Sequence, residues 1–167
     1  MNGRVVAGVL ASAMALGAVP TGRADVPVPV ASGYVVPAFS AQAVDGSMRQ
    51  ISYPKGSATV LLFFLSSCPT CHKMLPEWNR AYQRRPKTVN VVGVLLDHAP
   101  AGFFEAYPVA FPVVQSPGRE FLATYKVSRT PTTLRVAAGG KVENHGVGIL
   151  DPITLGEYFR PSSQSAP

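Results

Sequence analysis

Two thiols separated by two residues are the first feature of this chain with reactive chemistry. Cys68-Pro69-Thr70-Cys71 contains the only cysteines among 167 residues, and His72 follows directly. Three chemistries use such a set. Cys-x-x-Cys is a dithiol/disulfide pair, Cys-x-x-Cys-His is the covalent attachment motif of c-type haem, and two thiolates with Met74 or His72 suit soft Cu(I). A haem would take His72 as one axial ligand and His98 or His145 as the other, because no methionine follows Met74. A disulfide this short closes too small a loop to staple a fold, so the pair reads as reactive rather than structural.

The flanking residues determine how these thiols are held. Val60 to Leu65 is an apolar run rich in aromatic and β-branched side chains, which predicts a central strand covered on both faces. Ser66-Ser67-Cys68-Pro69 then predicts a helix start, with a hydroxyl cap and proline in the first turn. Along that helix Cys71, Met74, Leu75, Trp78, Ala81 and Tyr82 recur at three-and-four spacing, so Cys71 belongs to the buried face and Cys68 does not. Pro76 falls inside the pattern and predicts a kink, because the apolar spacing continues until Arg84-Arg85-Pro86.

This placement divides the labour between the sulfurs. Only a thiolate attacks a disulfide, and the unpaired N–H groups and macrodipole of a helix N-terminus favour a negative sulfur at Cys68. Cys68 is therefore the candidate nucleophile, and Cys71, one turn deeper, the candidate resolving thiol. His72 lies four residues after Cys68 and reads either as a cation adding to the effect or as a plain exposed histidine. A buried strand running straight into the motif, and a helix face already committed to a core, leave little room for haem. Met74 is better explained by that core than by copper.

Further along, Pro37 to Ser47 reads as an edge strand ending in the Asp45-Gly46 turn, with Met48 to Ile51 as its hairpin partner. Val89 to Leu96, ending at Asp97, is a second buried strand, parallel to the first because a helix connects them. Pro100 to Tyr107 is a short helix candidate, Phe111 to Val114 an extended piece, and Arg119 to Tyr125 helical. Thr132 to Val136 and Lys141 to His145 read as a hairpin about Ala138-Gly139-Gly140, and Thr154 to Phe159 as a closing helix. His98 and His145 stand alone and read as solvated or structural.

One domain suits this length and a hydrophobic content of 47%. Residues 1–24 read as a signal peptide: Arg4, an apolar run from Val5 to Val19, and the small-x-small site Gly22-Arg23-Ala24. The run is too short to span a bilayer, so no stable membrane insertion is expected after cleavage. Residues 25–36 read as an extended Val/Pro leader, 37–160 as the folded domain, and 161–167 as a disordered tail. Cleavage would lower the net charge from +6 to +4 by removing Arg4 and Arg23. The remaining basic cluster, Arg80, Arg84, Arg85 and Lys87, suits a helix C-terminus, and no nucleic-acid partner is expected.

The order of these pieces, with Cys68-Pro69-Thr70-Cys71, Pro76 five residues beyond the second cysteine, and Tyr125-x-Val127 leading to Thr130-Pro131-Thr132, resembles the thioredoxin fold. In detail it is similar to the exported thioredoxin-like (TlpA/ResA-type) thiol:disulfide oxidoreductases, from about Pro37 to Phe159. The resemblance implies an α/β domain with a central mixed sheet and helices on both faces, located in the periplasm or otherwise exported. It further implies Thr130-Pro131 as the cis-proline loop beside the thiols, with Pro69, Thr70, His72, Thr130 and Pro131 supporting Cys68 and Cys71. No cofactor or metal is implied, and the partners would be cysteine-containing envelope proteins together with a redox-recycling protein. Three positions depart from the pattern. Ser67 replaces the usual tryptophan, Leu62 a buried aspartate, and Met74 a glutamate, the last two being groups that help move the inner thiol's proton.

Overall fold

The computed structural model describes Met1 and residues 32–161. The expected signal peptide, the leader up to residue 31 and the tail beyond Pro161 lie outside the described residues. Among the described residues no helix is long and apolar enough to cross a membrane.

Strand β3 (Ala58–Phe64) forms the middle of the molecule, and every residue in it is buried. It has no polar face because both sides of the sheet are covered, as the apolar run requires. Helix α1 (Pro69–Arg84) returns the chain to β4 (Val89–Leu95), which pairs in parallel with β3 from Ala58↔Val89 to Phe64↔Leu95. This is the expected βαβ crossover. Helix α2 (Phe103–Ala106) leads to β5 (Val113–Gln115), parallel to β4. After helix α3 (Arg119–Thr124), β6 (Thr132–Val136) runs antiparallel to β3, and β7 (Val142–Val147) antiparallel to β6. Helix α4 (Pro152–Phe159) closes the fold. The sheet is therefore mixed, in the order β5-β4-β3-β6-β7.

Alternation along β3 sends side chains into two cores. Val60, Leu62 and Phe64 meet Cys71, Met74, Leu75 and Trp78 of α1, together with Leu155, Tyr158 and Phe159 of α4. Leu61 and Phe63 meet Tyr125 and Val127 after α3, and the hairpin of β1 (Phe39–Gln42) and β2 (Met48–Ile51). That hairpin is a two-stranded sheet of its own, tied to β5 through an Ala43↔Val114 bridge. Helix α1 continues through Pro76, and at its end Arg85 donates to Tyr82 O at 2.7 Å and to Val89 O at 3.1 Å.

The last residues of the stretch read as a free leader lie against the domain. Val36 is 1% exposed, and the main chain of 33–36 pairs with Gly140 and Val142. Gly140 permits this approach, because it has a positive φ and a Cβ there would collide with Val36 O. The packed unit thus starts before Pro37.

Candidate active site

Cys68 and Cys71 sit where β3 gives way to α1. The expected hydroxyl cap is corrected by the structure: Cys68 is itself the N-cap, and its Sγ accepts the Cys71 N–H at 3.1 Å. The serines are occupied elsewhere, since Ser66 and Ser67 both donate to Asp97 at the end of β4. A sulfur in the cap position receives one of the orphan donors of the helix start, an interaction that strengthens as the sulfur becomes negative.

The two sulfurs differ in environment. Cys68 is half-buried, whereas Cys71 is 0% exposed between α1 and the sheet. Burial, with the adjoining Cys68 sulfur, pushes the Cys71 thiol up to about 12, against opposing hydrogen bonds from the Leu65 main chain and the Thr130 hydroxyl. Leu62 and Met74, which stand in place of acidic residues, are fully buried apolar side chains of the same core.

Of the supporting residues, Pro69 and Thr70 are exposed in the first turn, and Thr130 reaches Cys71. The Thr130–Pro131 peptide is cis, Pro131 is buried, and its carbonyl accepts the Gly148 N–H at 2.8 Å. His72 departs from the reading as a plain exposed histidine. Its Nε2 lies 2.7 Å from Ser66 O, and its ring stacks on Tyr107 at a centroid distance of 4.0 Å. That nitrogen would have to leave Ser66 O to serve as a haem ligand. Among the described residues no three His, Cys, Asp or Glu side chains gather as metal ligands. His98 is exposed, and His145 is buried beside Tyr34.

Asp97 is the site residue that sequence reasoning passed over. The register of the parallel pair places it there: Phe64 lies opposite Leu95, and two further steps bring Ser66 level with Asp97.

An exposed-side sulfur capping a helix, backed by a buried one at the C-terminal edge of a mixed sheet, is the construction of a thioredoxin-fold thiol:disulfide oxidoreductase, and comparison with known proteins agrees. The chain belongs to the Redoxin family, whose model matches residues 31–157. It is 30% identical over 132 residues to sporulation thiol-disulfide oxidoreductase A of Bacillus subtilis, covering 74% of this chain and 79% of the relative. It is 29% identical over 134 residues to thiol-disulfide oxidoreductase ResA of the same species, covering 78% and 75%. Among solved structures, StoA from Bacillus subtilis superposes with a TM-score of 0.63 at 27% identity, covering 74% of this chain and 97% of the other.

Proposed function

We propose that this thiol:disulfide oxidoreductase is exported and exchanges disulfides with cysteine pairs of envelope proteins, with Cys68 as nucleophile and Cys71 as resolving thiol. The observation that carries this reading is the division of the pair: a half-buried sulfur holding a main-chain N–H, and a fully buried thiol with its pKa raised to about 12. In the reducing direction the Cys68 thiolate attacks one sulfur of a partner disulfide. That S–S bond breaks, a Cys68–partner disulfide forms, and the other partner sulfur departs as a thiolate. This thiolate takes the proton of Cys71, whose sulfur then attacks Cys68 Sγ and releases the second partner sulfur. The partner gains two electrons, and the protein is left with a Cys68–Cys71 disulfide for a redox-recycling protein to reduce. The Thr130–Pro131 loop, whose Thr130 side chain reaches Cys71, suits an extended client segment, with the Thr130 main chain as its pairing edge. Residues 1–24 supply the export signal, and maturation of envelope redox proteins is the role this chemistry serves.

The test is covalent trapping. Cys71→Ser leaves Cys68 able to attack but unable to be released, so mixed disulfides with envelope proteins accumulate, whereas Cys68→Ser traps almost nothing. Equal trapping by the two variants would remove the assigned roles.

A further inference from the structure

Three residues, Leu65 to Ser67, connect β3 to the N-cap Cys68, and side chains from other elements hold the polar groups of Ser66 and both donors of Ser67. The Asp97 carboxylate accepts Ser66 N at 2.7 Å, Ser66 Oγ at 2.9 Å, Ser67 N at 3.2 Å and Ser67 Oγ at 3.1 Å. From the opposite side, His72 Nε2 donates to Ser66 O at 2.7 Å, while Tyr107 backs the imidazole ring. Every polar group of Ser66 is therefore engaged, and this residue is only 7% exposed. The main-chain ladder has stopped here, since Leu96 N to Phe64 O is the last β4-to-β3 bond, and the Asp97 side chain takes over where the backbones diverge. Cys68 comes next.

We propose that Asp97 is a positioning residue for Cys68: by gripping Ser66 and Ser67 it fixes the helix start so that Cys68 Sγ stays in line with the Cys71 N–H. The inference rests on the exchange reading above. The carboxylate's own charge works against a thiolate nearby, but four donors disperse it, and the same hydrogen bonds hold Asp97 below the usual carboxylate range despite its partial burial. Placement and charge therefore have opposite signs in their effect on Cys68, which makes them separable. The titratable groups shown in contact about the connection are Asp97, His72, Tyr107, Cys68 and Cys71.

The experiment is the pH dependence of Cys68 alkylation by iodoacetamide in the reduced protein, with the modified cysteine identified by mass spectrometry and the fold checked by circular dichroism. For Asp97→Ala the pH midpoint rises by about one unit, a roughly tenfold slower reaction at neutral pH. Asp97→Asn, which keeps one acceptor oxygen while losing the charge, shows a smaller rise. Ser66→Ala, which keeps the carboxylate and both main-chain donors, provides the same readout should the Asp97 variants not fold, again with a small rise. A fall in the midpoints would mean that Asp97 acts only as a nearby charge. Unchanged midpoints with a lowered melting temperature would mean that it only braces the fold, and either result overturns the proposal. Alkylation needs no disulfide partner, so this outcome is independent of whether the wild-type protein exchanges with a disulfide-bonded peptide.

Discussion

The main-chain N–H of Cys71 points at Cys68 Sγ from 3.1 Å, so the inner cysteine supplies a donor to the outer sulfur while its own thiol is sealed in the core. The two residues are thus coupled before any partner arrives.

At pH 7 iodoacetamide should modify Cys68 and leave Cys71 intact. Burial raises Cys71 from an ordinary value of 9.0 to about 12, so the native reduced state holds a proton that the unfolded chain releases between those limits. Stability contributed by the protonated thiol is fully present below about 9 and declines as pH rises toward about 12. Buried tyrosines lose stability over the same alkaline range in both redox forms. Urea melts of reduced and disulfide forms from pH 8 upward should therefore diverge, with the reduced form falling faster, and parallel curves would count against a buried Cys71 thiol.

Between the cysteines Pro69 and Thr70 add no charge to stabilise a thiolate or oppose one. The reduction potential should fall between those of strongly reducing and strongly oxidising thioredoxin-fold proteins, about −270 to about −120 mV. Equilibration with glutathione buffers, read by alkylation of the reduced fraction, measures it. A value at either extreme would show that another group dominates the dithiol.

His145 is buried with Nδ1 3.0 Å from Tyr34 Oη, while its Nε2 has no hydrogen-bond partner among the described residues. Burial, and then Lys126, lowers its pKa from 6.5 to about 4. The unfolded chain binds a proton in that window that the folded one refuses, so stability is complete above about 6.5 and is lost as pH falls toward about 4. Denaturant midpoints from pH 7.5 to 4.5 should drop in the wild type and flatten in His145→Gln, with a difference on the order of 2 kcal/mol. The same slope in both proteins would place the acid sensitivity elsewhere.

Arg135 is 1% exposed within β6, where it donates to Tyr158 O, Arg160 O and the Glu143 carboxylate. It ties the carbonyl end of α4 to the sheet. Arg135→Ala strands those acceptors and should cost about 3–5 kcal/mol in urea unfolding, whereas Glu143→Gln, altering the outer partner, should cost about 1 kcal/mol or less. Comparable losses would mean that the ion pair matters more than the helix anchor.

Residues near one another in sequence determined much of this protein without help from the tertiary structure. The apolar run into Cys68, the helix face through Cys71 and Trp78, the two hairpins and the parallel β4 were legible because strand and helix periods and turn residues act over a few positions. The difference between the two sulfurs followed from that helix face alone. What the tertiary structure decided lies between distant residues: Asp97 against Ser66 at a separation of 31, His145 against Tyr34 at 111, and the docking of residues 33–36 on β7. A polar group's partner depends on which strand ends come level and which faces are already covered. Hence Ser66 and Ser67, whose local chemistry suited helix caps, turned to the carboxylate that strand register set beside them, and left the cap to sulfur.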